Sequence, residues 1–385
     1  MKIVYISNSY FFDMDLSFTK EMFKISDFYY LLDIPIYARN STSLVLETNQ
    51  KNAGIYPATH FDQFQEYSDF LDLSKTFIIF RCSKKTYAIS NLKIQLQLTK
   101  LIKNLSPTVI HCNNFLNKNF WLLLKTNSTP KLLTIHDPLP HSGEVSRKDS
   151  IRRIFNYKHI QNILLLNKSQ IEDFIKLTGF SIDNLYYSRL GAYTYLKKFS
   201  NLTHNKKKPF QVLFFGRISP YKGIEELCQA FKLIGETYSK ATLIIAGKGD
   251  FWFDMTKYSN LGNIYVINRF IPNSELVHLI ETSSFVVCPY KDATQSGVIM
   301  SAYALNKPVI ATNVGGLKEM VSHEETGLLI EPSSVDELYL SIKNLIENRI
   351  LVEQMERNIE NLNNTGYLSW KGIANEILAV YSMIK

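Results

Sequence analysis

The sequence predicts an α/β protein built from two doubly wound parallel-sheet domains, and three observations carry that prediction. First, 385 residues with 45% hydrophobic content are enough for two cores of ordinary size. Second, from Thr76 onward short β-branched runs alternate with helical periodicities, and repeated βα units make a parallel sheet. Third, the polar, lysine-rich, proline-ended stretch 201–209 (NLTHNKKKP) separates this series from another that restarts at Phe210. The expected domains are therefore 1–200 and 210–365, with 201–209 as linker and 366–385 as a closing helical segment.

Residues 2–7 (KIVYIS) read as the first strand, with Asn8, Ser9 and Tyr10 in the loop at its end. In an open α/β sheet that is a ligand-facing position. Asp13-Met14-Asp15 imitates a metal-binding DxD, but it is placed in an early loop and read as incidental, and no metal site is expected. The stretch 35–75 is irregular. The regular series follows, with strands at 76–80, 108–111, 131–135 and 162–166 and helices at 89–104, 117–126, 147–157 and 169–178. The strand KLLTI ends at His136-Asp137-Pro138, and a loop with His141 comes next. A histidine at a strand's carboxyl edge beside a carboxylate can hydrogen-bond a polar ligand group. His111, on a neighbouring strand, reads as structural.

The second series opens with the strand 210–216 and the turn Gly216-Arg217-Ile218-Ser219-Pro220-Tyr221-Lys222-Gly223, which leads into a helix from Ile224. One guanidinium and one ammonium five residues apart at a helix start can hold the two phosphates of a diphosphate. Strand 241–246 ends at Gly247-Lys248-Gly249. Strand 264–267 ends near Arg269-Phe270, where a flat nucleobase could be bracketed. The richest stretch is 285–319. A Val-rich strand stops at Pro289, and the polar loop Ala293-Thr294-Gln295-Ser296-Gly297 runs into a helix whose free amides make an anion site. The next strand, Val309 to Ala311, leads to Gly315-Gly316, where the backbone can approach a ligand. A last strand near 327–332, one long helical region from Val335 to about Asn361 and a final helix over 367–384 complete the chain.

Composition narrows the function further. The four cysteines are scattered with no CxxC pair, as expected of reduced core residues in a cytoplasm. No apolar run approaches the roughly 20 residues needed to cross a bilayer, and the first residues lack a signal-peptide pattern. Residues 1–208 carry 28 Lys and Arg against 16 Asp and Glu, and the remainder carries 15 against 19. A basic first half implies an anionic surface such as a membrane, and no nucleic-acid-reading motif accompanies it.

The ordered set GRISPYKG, IIAGKGD, CPYKDATQSG, KPVIATNVGG and TGLLIEP resembles the retaining glycosyltransferases of family four. That family has the GT-B fold, two Rossmann-like domains facing each other across a cleft. The resemblance covers the second half closely and the first half more loosely. It implies metal-independent transfer of a sugar from a nucleotide sugar, UDP- or GDP-linked, with no further cofactor. Arg217 and Lys222 would carry the donor diphosphate beside Gly216 and Gly247, and the amides of Thr294, Gln295, Ser296 and Gly297 would take its distal phosphate. Arg269 and Phe270 would flank the base, and His136, at the cleft, would hydrogen-bond the transferred sugar. The final helix would cross back to the first domain. Asn8, Ser9, Tyr10 and His141 are expected on the acceptor side, toward a glycolipid or polyprenyl-diphosphate-linked acceptor at the inner face of the cell membrane.

Two departures stand out. Counted back from Lys307-Pro308, the family's two glutamates eight positions apart fall on Ala293 and Ser301, which leaves Asp292 and Glu319 as the nearest carboxylates. The early glycine-rich loop is replaced by Asn8-Ser9-Tyr10. The expected function is a sugar transfer in surface-glycan assembly. The alternatives are a non-catalytic sugar-nucleotide-binding partner subunit and a sugar-nucleotide epimerase of like fold.

Overall fold

A computed structural model describes residues 1–35, 44, 46, 50, 52–85, 88–116, 120–138, 147–200 and 210–384. The chain divides into two compact units, one of residues Met1–Arg189 with Trp370–Lys385, the other Leu190–Ser369. The expected linker 201–209 lies outside the described residues. Leu190–Ser200, assigned above to the first domain, packs within the second unit: Tyr195 and Leu196 are buried, and the Tyr193 amide donates to the Met300 carbonyl at 3.1 Å.

The first unit contains β1 (Lys2–Asn8), α1 (Phe12–Ile25), β2 (Asp27–Ile34), β3 (Gly54–Pro57), β4 (Thr76–Phe80), α2 (Ile89–Leu105), β5 (Val109–Asn113), α3 (Trp121–Thr126), β6 (Lys131–Ile135), α4 (Arg147–His159), β7 (Asn162–Leu165), α5 (Ile171–Thr178) and β8 (Leu185–Tyr187). Its sheet runs β3-β4-β2-β1-β5-β6-β7-β8, parallel except for the edge strand β3. Strands buried on both faces read as near-continuous apolar runs, as FYYLLDI in β2 and KLLTI in β6 do. The sequence reading missed α1 and β2. It also set Asp13 to Asp15 in a loop, whereas both belong to the first turn of α1. A helix forms there because Phe12, Leu16, Phe18 and Met22 bury against the sheet, and acidic residues in a first turn complement the helix dipole.

The second unit contains β9 (Gln211–Phe215), α6 (Ile224–Thr237), β10 (Thr242–Gly247), α7 (Thr256–Ser259), β11 (Ile264–Asn268), α8 (Asn273–Thr282), β12 (Phe285–Cys288), α9 (Gly297–Ala304), β13 (Val309–Thr312), α10 (Leu317–Met320), β14 (Gly327–Ile330), α11 (Val335–Glu347) and α12 (Arg349–Asn364). Its sheet is parallel throughout, in the order β11-β10-β9-β12-β13-β14. The helix expected over 335–361 is two helices. Asn348 ends α11, and its side chain accepts from the Leu351 amide at 3.1 Å to cap α12. The last helix, α13 (Trp370–Met383), belongs to the first unit and buries Trp370, Ile373, Ile377 and Tyr381.

All four cysteines are free thiols. Cys112, Cys228 and Cys288 are buried, while Cys82 is half-buried. Among the described residues no helix is long and apolar enough to cross a membrane.

Candidate active site

In the second unit the candidate residues gather at the carboxyl ends of β9, β12 and β13, around the loop that leaves β12. Gly223, with φ +65°, opens α6 so close to this loop that a Cβ would lie 1.9 Å from the Pro289 carbonyl oxygen. On the other side Gly315, with φ +47°, brings its backbone to the Ala293 carbonyl, where a Cβ would stand 1.9 Å away. These two glycines let three loops touch through main chain alone. Hydrogen bonds fix the contact: Lys291 N–H donates to the Tyr221 carbonyl at 2.7 Å, Gly316 N–H to the Ala293 carbonyl at 3.2 Å, and Thr312 Oγ1 to the Tyr290 carbonyl at 2.5 Å.

Lys222 is held over this platform. Its Nζ lies 3.5 Å from the centroid of the Tyr290 ring and 4.9 Å from that of Tyr221, and it has no ion pair among the described residues. Burial lowers its pKa to about 8, and the neighbouring Arg217 guanidinium pushes the same way. Arg217 itself is exposed. The acid beside them is already engaged, since Glu226 pairs with Lys291 at 2.5 Å. Gly216, with φ +120°, follows β9 directly. Gly247 ends β10 and passes so near Gly216 that a Cβ would meet its carbonyl oxygen at 1.7 Å.

Ser296 caps α9, its Oγ accepting from the Ile299 amide at 3.4 Å. Thr294 and Ser296 are buried, while Gln295 and Gly297 are half-buried. Ala293 and Ser301 are buried as well, so a glutamate at either place would have to find room in a packed interior. Glu319 is exposed on the short α10. Arg269 and Phe270 follow β11 at the surface. The Arg269 fork is bidentate to Glu275 at 2.7 and 2.6 Å, which engages its N–H donors, and Phe270 is 52% exposed.

In the first unit the corresponding edge is a closed polar network. His136 follows β6, is buried, stacks on Phe11 with ring centroids 4.2 Å apart, and donates from Nε2 to Asn113 Oδ1 at 2.7 Å. Asn113, the last residue of β5, donates from Nδ2 to Asp15 at 3.0 Å and to Ser7 Oγ at 3.2 Å. Asp15 also accepts from the hydroxyls of Tyr5 and Tyr30, each at 2.8 Å. Burial raises its pKa to about 7 against the pull of these donors. His111 is structural, as expected: Nδ1 meets the Tyr381 hydroxyl and Nε2 the Thr134 hydroxyl, both at 2.6 Å, and burial lowers its pKa to about 3. Asn8 ends β1 and accepts from the Tyr10 amide at 3.0 Å, Ser9 is buried, and Tyr10 is 55% exposed. His141 lies outside the described residues. Sequence reasoning missed Asn113 and the buried role of Asp15. A polar residue closing an otherwise apolar strand was the available signal for the first.

Comparison with known proteins bears on both halves. Residues 197–362 match the family model described as glycosyl transferases group 1. An uncharacterized glycosyltransferase of Methanocaldococcus jannaschii is 30% identical over 175 residues, 45% of this chain and 44% of that protein. Glycogen synthase of Mycobacterium tuberculosis is 22% identical over 72% of this chain and 69% of its own length. Among solved structures, Anabaena Alr3699/HepE in complex with UDP superposes with a TM-score of 0.67 at 16% identity, covering 100% of both chains. That likeness establishes the fold class, two Rossmann-like parallel-sheet domains of the GT-B kind.

Proposed function

We propose, from the match of residues 197–362 to the family model described as glycosyl transferases group 1, that the chain moves a sugar from a UDP- or GDP-sugar to an acceptor hydroxyl, retaining the anomeric configuration and needing no metal ion. The observation that carries this reading is Lys222, a half-buried ammonium with Arg217 beside it and no ion pair among the described residues. Such a charge is poised for an incoming anion, and the cost of burying it falls when a diphosphate arrives. The solved neighbour that carries UDP agrees with a nucleotide donor.

As the glycosidic bond breaks, negative charge grows on the leaving diphosphate. Lys222, packed on the Tyr290 ring, and the amides at the start of α9 are in place before the reaction, and Arg217 reaches the same charge from the surface, so together they stabilise it with little reorganisation. No carboxylate nucleophile stands in place of Ala293 or Ser301. Transfer is therefore assigned to the front face, with the departing phosphate accepting the hydroxyl proton. His136 orients the transferred sugar. The 28 basic against 16 acidic residues of the first 208 favour a lipid-linked or polysaccharide acceptor, approached from an anionic membrane surface in surface-glycan assembly.

Release of nucleoside diphosphate from a panel of UDP- and GDP-sugars, with and without a polyprenyl-diphosphate-linked sugar, tests this. Acceptor-dependent release supports the transferase. Donor binding without release identifies the partner subunit to which the absent glutamates point, and donor conversion without release identifies an epimerase.

A further inference from the structure

Asp15 takes no part in the reaction just described, yet its place in the first unit is demanding. It is fully buried on α1, has no ion pair among the described residues, and engages both oxygens with donors from three different strands: Tyr5 and Ser7 of β1, Tyr30 of β2 and Asn113 of β5. A buried carboxylate without a cation is costly unless its acceptor sites are filled, and here they are. The three hydroxyls can rotate to donate or accept, but the Asn113 carboxamide cannot. With Nδ2 toward Asp15, its Oδ1 is left facing His136; were it turned over, oxygen would stand against carboxylate oxygen.

The direction of one amide therefore decides the hydrogen on the next ring. Oδ1 has no hydrogen to give, so His136 Nε2 must carry one, and a neutral ring keeps Nδ1 as its acceptor. The Phe11 ring, nearly parallel at 22°, fixes the tilt of the imidazole.

We propose that Asp15 is a positioning residue for His136: through the carboxamide of Asn113 it holds the imidazole in the Nε2–H form and in one orientation toward the sugar. This rests on His136 being the sugar-orienting group of the proposed transferase. In the other tautomer Nε2 would turn a lone pair toward the Asn113 oxygen, and the ring would present the opposite hydrogen-bonding polarity to a hydroxyl.

The test is the tautomer of His136 in protein labelled with nitrogen-15 histidine, read by long-range proton–nitrogen spectra at pH 8 and assigned by the signal missing in His136→Gln. Wild type is expected to show Nε2–H alone. Asp15→Ala should give mixed tautomers and a kcat about 10- to 100-fold lower, the scale for a misplaced catalytic contact, with donor Kd unchanged. Asp15→Asn should restore much of both, since its oxygen can still accept from Asn113 while the Tyr30 hydroxyl turns to accept from the new amide. If Asp15→Ala fails to fold, Asn113→Ala removes the adaptor and leaves Asp15 its hydroxyl donors from Ser7, Tyr5 and Tyr30; the same mixed tautomers and lowered kcat are expected. Pure Nε2–H in these alanine variants, or a shifted tautomer with unchanged kcat, would overturn the proposal. Should wild type release no diphosphate from any donor, the transferase reading fails by itself, and the spectra still decide whether Asp15 governs His136.

Discussion

The two sheets end in opposite ways. At the carboxyl edge of the first, polar side chains satisfy one another: His136, Asn113, Asp15, Tyr5 and Tyr30 form one buried run of hydrogen bonds. At the edge of the second, loops are joined by backbone, through Gly223 against Pro289 and Gly315 against Ala293, and Lys222 stands over them with no ion pair among the described residues. The same architecture thus yields one edge that is rigid by side-chain wiring and one that is rigid by main-chain contact. The difference teaches where charge is available. A network that fills its own acceptors holds a ring still, whereas a platform built from backbone can carry a cation, Lys222, that has no acidic partner among the described residues.

The largest effect expected from breaking this contrast is on the second edge. Arg217→Ala and Lys222→Ala should each lower turnover about 100-fold or more, the scale for losing a fixed charge-stabilising donor, as read by nucleoside diphosphate release. Near-normal turnover in both would remove the diphosphate assignment. The pH profile sharpens the point. With a free-enzyme pKa of about 8, Lys222 loses its charge as pH rises through that value, so kcat/KM should fall about tenfold per pH unit on the alkaline side. Lys222→Arg should abolish that limb whatever its absolute activity, because a guanidinium stays charged.

A smaller effect tests the backbone joint. Gly315→Ala places a Cβ in contact with the Ala293 carbonyl at a positive φ, and is expected to cost about 1–3 kcal/mol in denaturant unfolding. An unchanged midpoint would show that the loop relaxes freely. The smallest effect is on the first edge, where two buried groups act in opposite directions. His111 has a folded pKa of about 3, lowered by burial first and by His136 second, so the unfolded chain takes up a proton below about 6.5 that the folded one refuses. Its contribution is present above that pH and is lost on acidification, at about 1.4 kcal/mol per pH unit. Asp15, raised to about 7, binds its proton in the folded state first and gains stability as pH falls from 7 toward the ordinary carboxylate range. His111→Gln should therefore flatten or reverse the acid loss between pH 6.5 and 5, in unfolding measured relative to the same variant at pH 7.

This contrast also explains what was legible in the sequence. The second edge announces itself because its chemistry is local: GRISPYKG and ATQSG each bring their residues together within one turn. Its strands were read to within a residue or two at each end. The first edge assembles Asp15, Asn113 and His136 from three distant segments, and no spacing in the chain reveals such a meeting. α1 was hidden for a related reason. Asp15, Ser17 and Thr19 are buried beside Leu16 and Phe18, so the polar and apolar positions do not sort onto opposite faces. The break at Asn348 was missed because apolar periodicity continues through it, although an asparagine followed by a fresh helical turn is a capping signal.

The cysteines give each half its own clock. Burial pushes the thiols of Cys112 and Cys228 up to about 12 and that of Cys288 up to about 11, so none of them is a thiolate at neutral pH, and none can meet an alkylating reagent until its surroundings open. Cys112 stands in β5 of the first unit, while Cys228 and Cys288 stand in α6 and β12 of the second. Pulse labelling followed by peptide mass analysis would therefore time the opening of the two cores separately in the unmodified chain, with half-buried Cys82 as the early-reacting reference.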